Sequence, residues 1–232
     1  MDETQSDLII WYKLETEFFP DHVRHTRYIA KAKRRNEEAK EDWRNCGELG
    51  RGGFGVVHKQ VQETTGHYRA VKTIDKRLHP KIHYSRELLV MAILAKVRVL
   101  ISGGTHSTPL AIYHSYKILL LSNGLFFYRP SLFVEFLGWF EKPETLYIAM
   151  EYLEEGDLTK YSGTPLSQET VQNISKQILE GLQVMHQQGI AHRDLKPAVW
   201  PSPPKTSLEH FAWWSTDECI EYFRSFHVSR VG

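Results

Sequence analysis

A chain of 232 residues, 41% hydrophobic and 12% aromatic, has the material for one large domain or two small lobes. A formal net charge of +1 gives no electrostatic case for nucleic acid or membrane as the main partner. Two cysteines, Cys46 and Cys219, are too few for a disulfide framework and lack metal-ligand spacing, which fits a reducing intracellular setting, cytoplasmic or nuclear.

The acidic start, MDETQSDLII, argues against a secretory signal. Residues 1–42 read as a charged N-terminal extension. Within it YIAKAKRRNEEAKED (28–42) combines strong helix formers with mixed charge and predicts a solvated helix. Lys31, Lys33, Arg34 and Arg35 form a short basic run, more often a plain exposed face than a nuclear address.

Next comes ELGRGGFGVVHK (48–59), which spaces Gly50, Gly52 and Gly55 as G-x-G-x-x-G with Val57 after it. Glycine lets the backbone come close to a ligand without a Cβ clash, and its N–H groups can face phosphate oxygens. The same spelling occurs in dinucleotide-binding folds, where a helix follows, and in tight hairpins with no ligand at all. Here β-branched VVHKQVQ, the turn ETTGH and then YRAVKTI follow, which predicts strand, turn, strand. In that second strand alternation puts Ala70 and Lys72 on one face. A lysine under a glycine lid suits phosphate, although an isolated strand lysine is more often solvent-facing. YSRELLVMAILAK (84–96) carries Leu88, Met91, Ala92 and Ala95 at helical spacing, and predicts an amphipathic helix with Glu87 near its start. That carboxylate is placed to pair with Lys72 or to face solvent.

Residues 97–129 are apolar and without clear period. They contain His114, Lys117 and Asn123, too polar for a clean membrane span. ETLYIAMEYLEEGDL (144–158) predicts a strand running into an extended linker. In SQETVQNISKQILEGLQVMHQQG (167–189) Ser167 is a good N-cap, and Ile174, Ile178, Leu182 and Met185 predict a buried stripe. The helix leads to IAHRDLKPA.

With the glycine loop, AVK at 70–72, the helix carrying Glu87, MEYLEEGDL at 150–158 and HRDLKPA at 192–198 in order, the chain resembles a eukaryotic protein kinase of the serine/threonine type. The resemblance implies an α+β, two-lobe protein kinase-like fold: a small β-rich lobe with one main helix, plus only the start of the helical large lobe. It places a partial kinase domain at 43–198, with the small lobe at 43–150, an insertion at 97–129, and the hinge and start of the large lobe at 151–198. It implies ATP as ligand, magnesium as its companion, and a protein substrate or signalling partner. Gly50, Gly52, Gly55, Val57 and Ala70 would cover the nucleotide. Lys72 would hold its α- and β-phosphates and pair with Glu87. Met150 would gate the adenine pocket, Glu151 and Leu153 would line the hinge, and Asp157 would reach the ribose. Asp194 would orient the substrate hydroxyl and accept its proton, and Lys196 would steady the transferred phosphate.

Two departures stand out. The family joins the Glu87 helix to the next strand by a short connection, whereas 97–129 intervenes here. Val199 stands where the family places a magnesium-ligating Asn, and no Asp-Phe-Gly follows Ala198, so residues 199–232 form a divergent tail. The usual metal ligands are therefore absent from this chain, and the expectation is an inactive fragment, or a nucleotide-binding scaffold without catalysis. Both divergences begin at a valine, Val97 and Val199, whose codons open with GT as introns do. Translated introns, or a frameshifted tail, are expected; sequencing full-length transcripts through both junctions would show coding continuity if this is wrong.

Overall fold

The computed structural model describes residues 3–30, 36–53, 55–78, 84–102, 132–154 and 165–192, with the single positions 163 and 195. These fall into two compact units. The first takes the described residues of 3–89 and 135–154, and the second takes the others.

The first unit holds helix α1 (Glu3–Trp11) and the strands β1 (Glu15–Phe18), β2 (His22–Ala30), β3 (Asn36–Gly52), β4 (Gly55–Gln62), β5 (Tyr68–Asp75), β6 (Phe136–Lys142) and β7 (Thr145–Glu151). Helix α2 (Tyr84–Ser102) starts in this unit and runs into the second, which also holds α3 (Gln168–Gln187). The strands form one antiparallel sheet in the order β1-β2-β3-β4-β5-β7-β6. The expected hairpin is present: β4 and β5 pair through the turn after Gln62, with Val57 opposite Lys72 and Lys59 opposite Ala70.

The sheet curls until its ends meet. Just before β1, Lys13 bridges Trp139 of β6 in parallel; the Leu14 N–H donates to the Trp139 carbonyl at 2.8 Å, and the Trp139 N–H donates to the Tyr12 carbonyl at 3.0 Å. This one bridge pairs backbone groups of Tyr12, Leu14 and Trp139 and brings the sheet's two ends together as in a barrel. Gly138 sits at this seam with φ +133°, and a Cβ there would stand 2.7 Å from the Tyr12 carbonyl oxygen. Inside, Val71, Phe140 and Ala149 form the core, packed by Leu14, Phe18, Val23, Leu137 and Tyr147. Phe140 and Tyr147, cross-strand partners, stack with centroids 4.8 Å apart.

The lumen is also polar. Fully buried Arg69 donates to Gln60 Oε1 at 2.9 and 2.7 Å and lies over the Trp43 ring at 4.1 Å. Fully buried His25 meets Thr16 Oγ1 at 2.8 Å. Since that hydroxyl donates to the Leu14 carbonyl (3.0 Å), its oxygen accepts from His25 Nδ1. Burial above all, then the charges of Arg69 and Arg27, push the imidazole pKa down to about 3.

Three expectations need correction. The solvated helix expected at 28–42 is strand: β2 ends at Ala30, and β3 begins at Asn36 and continues past residue 42. Helix propensity is a weak prior. It loses here to a hairpin ladder reinforced across the strands by Arg24–Asp42 (2.7 Å) and Arg27–Glu41 (3.1 Å). Residues 31–35, with the basic run, lie outside the described positions. Helix α2 extends beyond residue 96 to Ser102, and it is not amphipathic: every side chain from Leu88 to Ala95 is buried, as an all-apolar run requires. In α3, Ser167 caps as expected, its Oγ accepting from the Thr170 N–H at 3.1 Å. The buried line, however, is Gln177, Gly181 and Met185, while Ile174, Ile178 and Leu182 are half-buried. That line faces Phe133, whose ring lies 4.0 Å from where a Cβ on Gly181 would stand.

Candidate active site

The outer face of the barrel wall is set by strand parity. Val71 faces the lumen, so its neighbours Ala70 and Lys72 face outward. On that face the ladders place Lys72 between Val57 and Ile148, and Ala70 between Lys59 and Met150. The outward side is nonetheless covered, with Ala70 fully buried and Lys72 only 3% exposed. An ammonium so placed needs a partner. Glu87, in the first turn of α2, supplies it: Lys72 Nζ donates to Glu87 Oε1 at 2.6 Å. The pair fixes the lysine tip against the strand face that leads from the glycine hairpin.

That hairpin closes where β3 ends and β4 begins, with Gly52 opposite Gly55. A Cβ on Gly55 would collide with the Thr73 carbonyl oxygen, so glycine is required for β4 to lie this close to β5. Around Gly50 there is open space where a Cβ would stand. The lid is exposed, and Arg51 pairs with Glu48, three residues back on β3, at 2.9 Å.

At the other end of the same face, β7 runs out at Glu151. The Glu151 N–H donates to the Glu135 carbonyl (2.9 Å), and its carboxylate accepts from the Glu135 N–H (3.2 Å). The Glu151 N–H is therefore engaged within the protein. Leu153, two residues on, is half-buried.

One compact unit thus brings together Gly50, Gly52, Gly55, Val57, Ala70, Lys72, Glu87, Glu151 and Leu153. Asp157, Asp194, Lys196 and Val199 lie outside the described residues. The cradle suits a polyphosphate: a glycine hairpin with a fixed, buried ammonium beneath it. Among the described residues the donor set does not suit magnesium. A valine side chain at 199 offers no oxygen, and no group of three or more His, Cys, Asp or Glu among the described residues could hold a metal ion.

One feature of this face escaped the sequence reading. Lys59 Nζ lies 3.8 Å from the Tyr68 ring centroid and 4.2 Å from that of Tyr152, the residue after β7. Its only sequence signal was the alternation that sets Lys59, Tyr68 and Ala70 on one face.

Comparison with known proteins bears on the whole assembly. The family model described as protein kinase domain matches residues 129–198. The serine/threonine-protein kinase RAD53 of Saccharomyces cerevisiae is 29% identical over 153 residues, covering 64% of this chain and 14% of that protein. The serine/threonine-protein kinase cds1 of Schizosaccharomyces pombe is 28% identical over 151 residues, covering 64% of this chain and 27% of that protein. Over these segments the chain is similar to eukaryotic serine/threonine protein kinases. The fold is consistent with a kinase-like small lobe, formed by the β-rich unit with the start of α2, and the start of a large lobe. A crystal structure of Rad53 1–466 in complex with AMP-PNP aligns with TM-score 0.47 and 24% identity, over 73% of this chain and 37% of that one. The chain spans 8% of the length of one curated relative it matches and 39% of another. No helix among its described residues is long and apolar enough to cross a membrane.

Proposed function

We propose that this chain carries the nucleotide-gripping part of an intracellular serine/threonine protein kinase, cytoplasmic or nuclear. The observation that carries the reading is the 2.6 Å Lys72–Glu87 pair on the strand face below the glycine hairpin. RAD53 and cds1 bear the name serine/threonine-protein kinase, which supports the same class of chemistry. The domain plan is that expected from sequence: a kinase segment at 43–198 broken by 97–129, between the extension 1–42 and the tail 199–232.

In this reading ATP lies under Gly50, Gly52 and Gly55, against Val57 and Ala70. Lys72 neutralises phosphate charge and Glu87 holds it there. Backbone groups of Glu151 and Leu153 meet the adenine edge, and Asp157 meets the ribose. In the uninterrupted protein, Asp194 aligns a serine or threonine hydroxyl and takes its proton. The hydroxyl oxygen bonds to the γ-phosphorus as ADP leaves, with Lys196 beside the transferred phosphate. Phosphoryl transfer is mostly positioning and charge neutralisation, which is why these residue types are needed.

For the 232-residue chain itself, Val199 favours a second reading: a nucleotide-binding scaffold that works through a signalling partner without turnover. Losing one preorganised electrostatic contact commonly lowers a rate by about 10²–10³. Transfer of radiolabelled γ-phosphate to a generic protein substrate, with Asp194→Ala as control, separates the two. The expected result is no transfer by this chain and transfer once a large-lobe sequence with the loop Asn and Asp-Phe-Gly replaces Val199 onward. Robust turnover by the chain as it stands, abolished by Asp194→Ala, would overturn the inactivity.

A further inference from the structure

We propose that Lys59 is a positioning residue that clamps the hinge to the glycine hairpin, an inference that rests on the nucleotide-binding reading above. Three elements meet at its tip. Lys59 comes from β4, the strand that leaves the glycine turn, and pairs with Ala70. Tyr68 opens β5 two residues before Ala70, so it lies diagonally across from Lys59 on the same outward face. Tyr152 follows β7 directly; since Arg69 pairs with Glu151, the next position comes beside Tyr68. The two rings stand with centroids 5.9 Å apart at 60°, and the Lys59 ammonium lies within 4.2 Å of both centroids. One charge thus touches two π faces, one on the hairpin and one on the hinge.

The place of the clamp gives it a function. Tyr152 lies between Glu151 and Leu153, whose backbone groups meet the adenine in the proposed site. Lys72, which meets the phosphates, lies on the same face two strand positions beyond Ala70. Holding Tyr152 against Lys59 therefore fixes the spacing between the base-reading and the phosphate-reading ends. The contact is no part of the hydrophobic core: Tyr68 is 51% exposed and the barrel interior lies on the opposite face. Its loss should loosen the hinge without unfolding the sheet.

The test compares the full chain with Lys59→Met, which keeps the stem and removes the charge, and with Lys59→Arg, which restores a cation. Two ligands probe the two ends, adenosine and inorganic tripolyphosphate, and amide exchange at 152–154 reports on the hinge. Lys59→Met should weaken adenosine binding about five- to thirtyfold, the range two such contacts supply. It should leave tripolyphosphate binding unchanged and speed exchange at 152–154. Lys59→Arg should restore both. Unchanged hinge exchange and adenosine affinity in Lys59→Met overturn the clamp alone. Equal weakening of both ligands, with no rescue by Lys59→Arg, also overturns it, since that marks a general structural role. A parent chain that binds neither ligand overturns the nucleotide reading and the clamp's purpose with it.

Discussion

Removing Glu87 should harm the fold more than removing Lys72. The ion pair spans 2.6 Å, and its side chains are 4% exposed for Lys72 and 22% for Glu87. At an effective dielectric near 20, charges that close attract by about 6 kcal/mol, and the cost of desolvating both ions takes back most of this. The remainder depends on which ion is left behind. Glu87→Ala strands an ammonium that water hardly reaches, a loss of about 3–5 kcal/mol. Lys72→Met strands a carboxylate that water can partly solvate, so roughly 1–2 kcal/mol should be lost. The double variant Lys72→Met with Glu87→Leu leaves no charge and should recover most of the parent's stability. Urea unfolding followed by tryptophan fluorescence reads all three, because Trp43 and Trp139 are buried in the same unit. With a slope of about 2 kcal/mol per molar urea, Glu87→Ala should lower the midpoint by about 1.5–2.5 M and Lys72→Met by about 0.5–1 M. Equal midpoints for the two single variants, or a double variant as weak as Glu87→Ala, would refute the assignment of the cost to a stranded lysine.

Other perturbations test other parts of the structure. Gly138→Ala should open the barrel seam, since its Cβ meets the Tyr12 carbonyl and its φ of +133° disfavours any side chain; increased dye binding to exposed core and faster exchange at Leu14 and Trp139 would report it. Gly55→Ala should separate β4 from β5 at Thr73 and weaken tripolyphosphate binding, with the fold retained by far-ultraviolet circular dichroism. His25 is held neutral in the folded state, with a pKa of about 3 against an ordinary 6.5, so the unfolded chain takes up the proton first as pH falls. Stability should be level above neutral pH and fall by up to about 1.4 kcal/mol per pH unit below 6.5 towards 3. His25→Gln should flatten that slope between pH 6.5 and 5, before the carboxylates titrate; an unaltered slope would remove His25 as its source.

The small-lobe half of the site was legible because its signals are local. Glycine spacing, β-branched alternation through Val57 and the AVK strand fix a hairpin and a strand parity, and these alone put Lys72 on the face that Glu87 meets. Nonlocal closure was not legible. Nothing in residues 28–42 announces a strand, since residues 28–30 pair with 36–38 and residues 39–42 pair with 24–27 outside the stretch, and charges that stabilise a solvated helix serve equally as cross-strand ion pairs. Arg69 and His25 read as surface residues until the barrel encloses them. The Lys59 clamp needs Tyr152, distant in sequence, to be brought back by the β5–β7 ladder. In α3 the apolar spacing named a stripe, but the buried line is Gln177, Gly181 and Met185, of which the stripe held only Met185.

The central claim is a pocket that grips nucleotide through Lys72 but lacks the side chains to grip magnesium. Calorimetric titration of the full chain with ATP, once in EDTA and once in excess magnesium chloride, tests it most directly, with Lys72→Ala run in parallel. The expected result is binding in EDTA that magnesium does not tighten and that Lys72→Ala weakens at least about tenfold. Binding that magnesium tightens tenfold or more, or that survives Lys72→Ala intact, would contradict it.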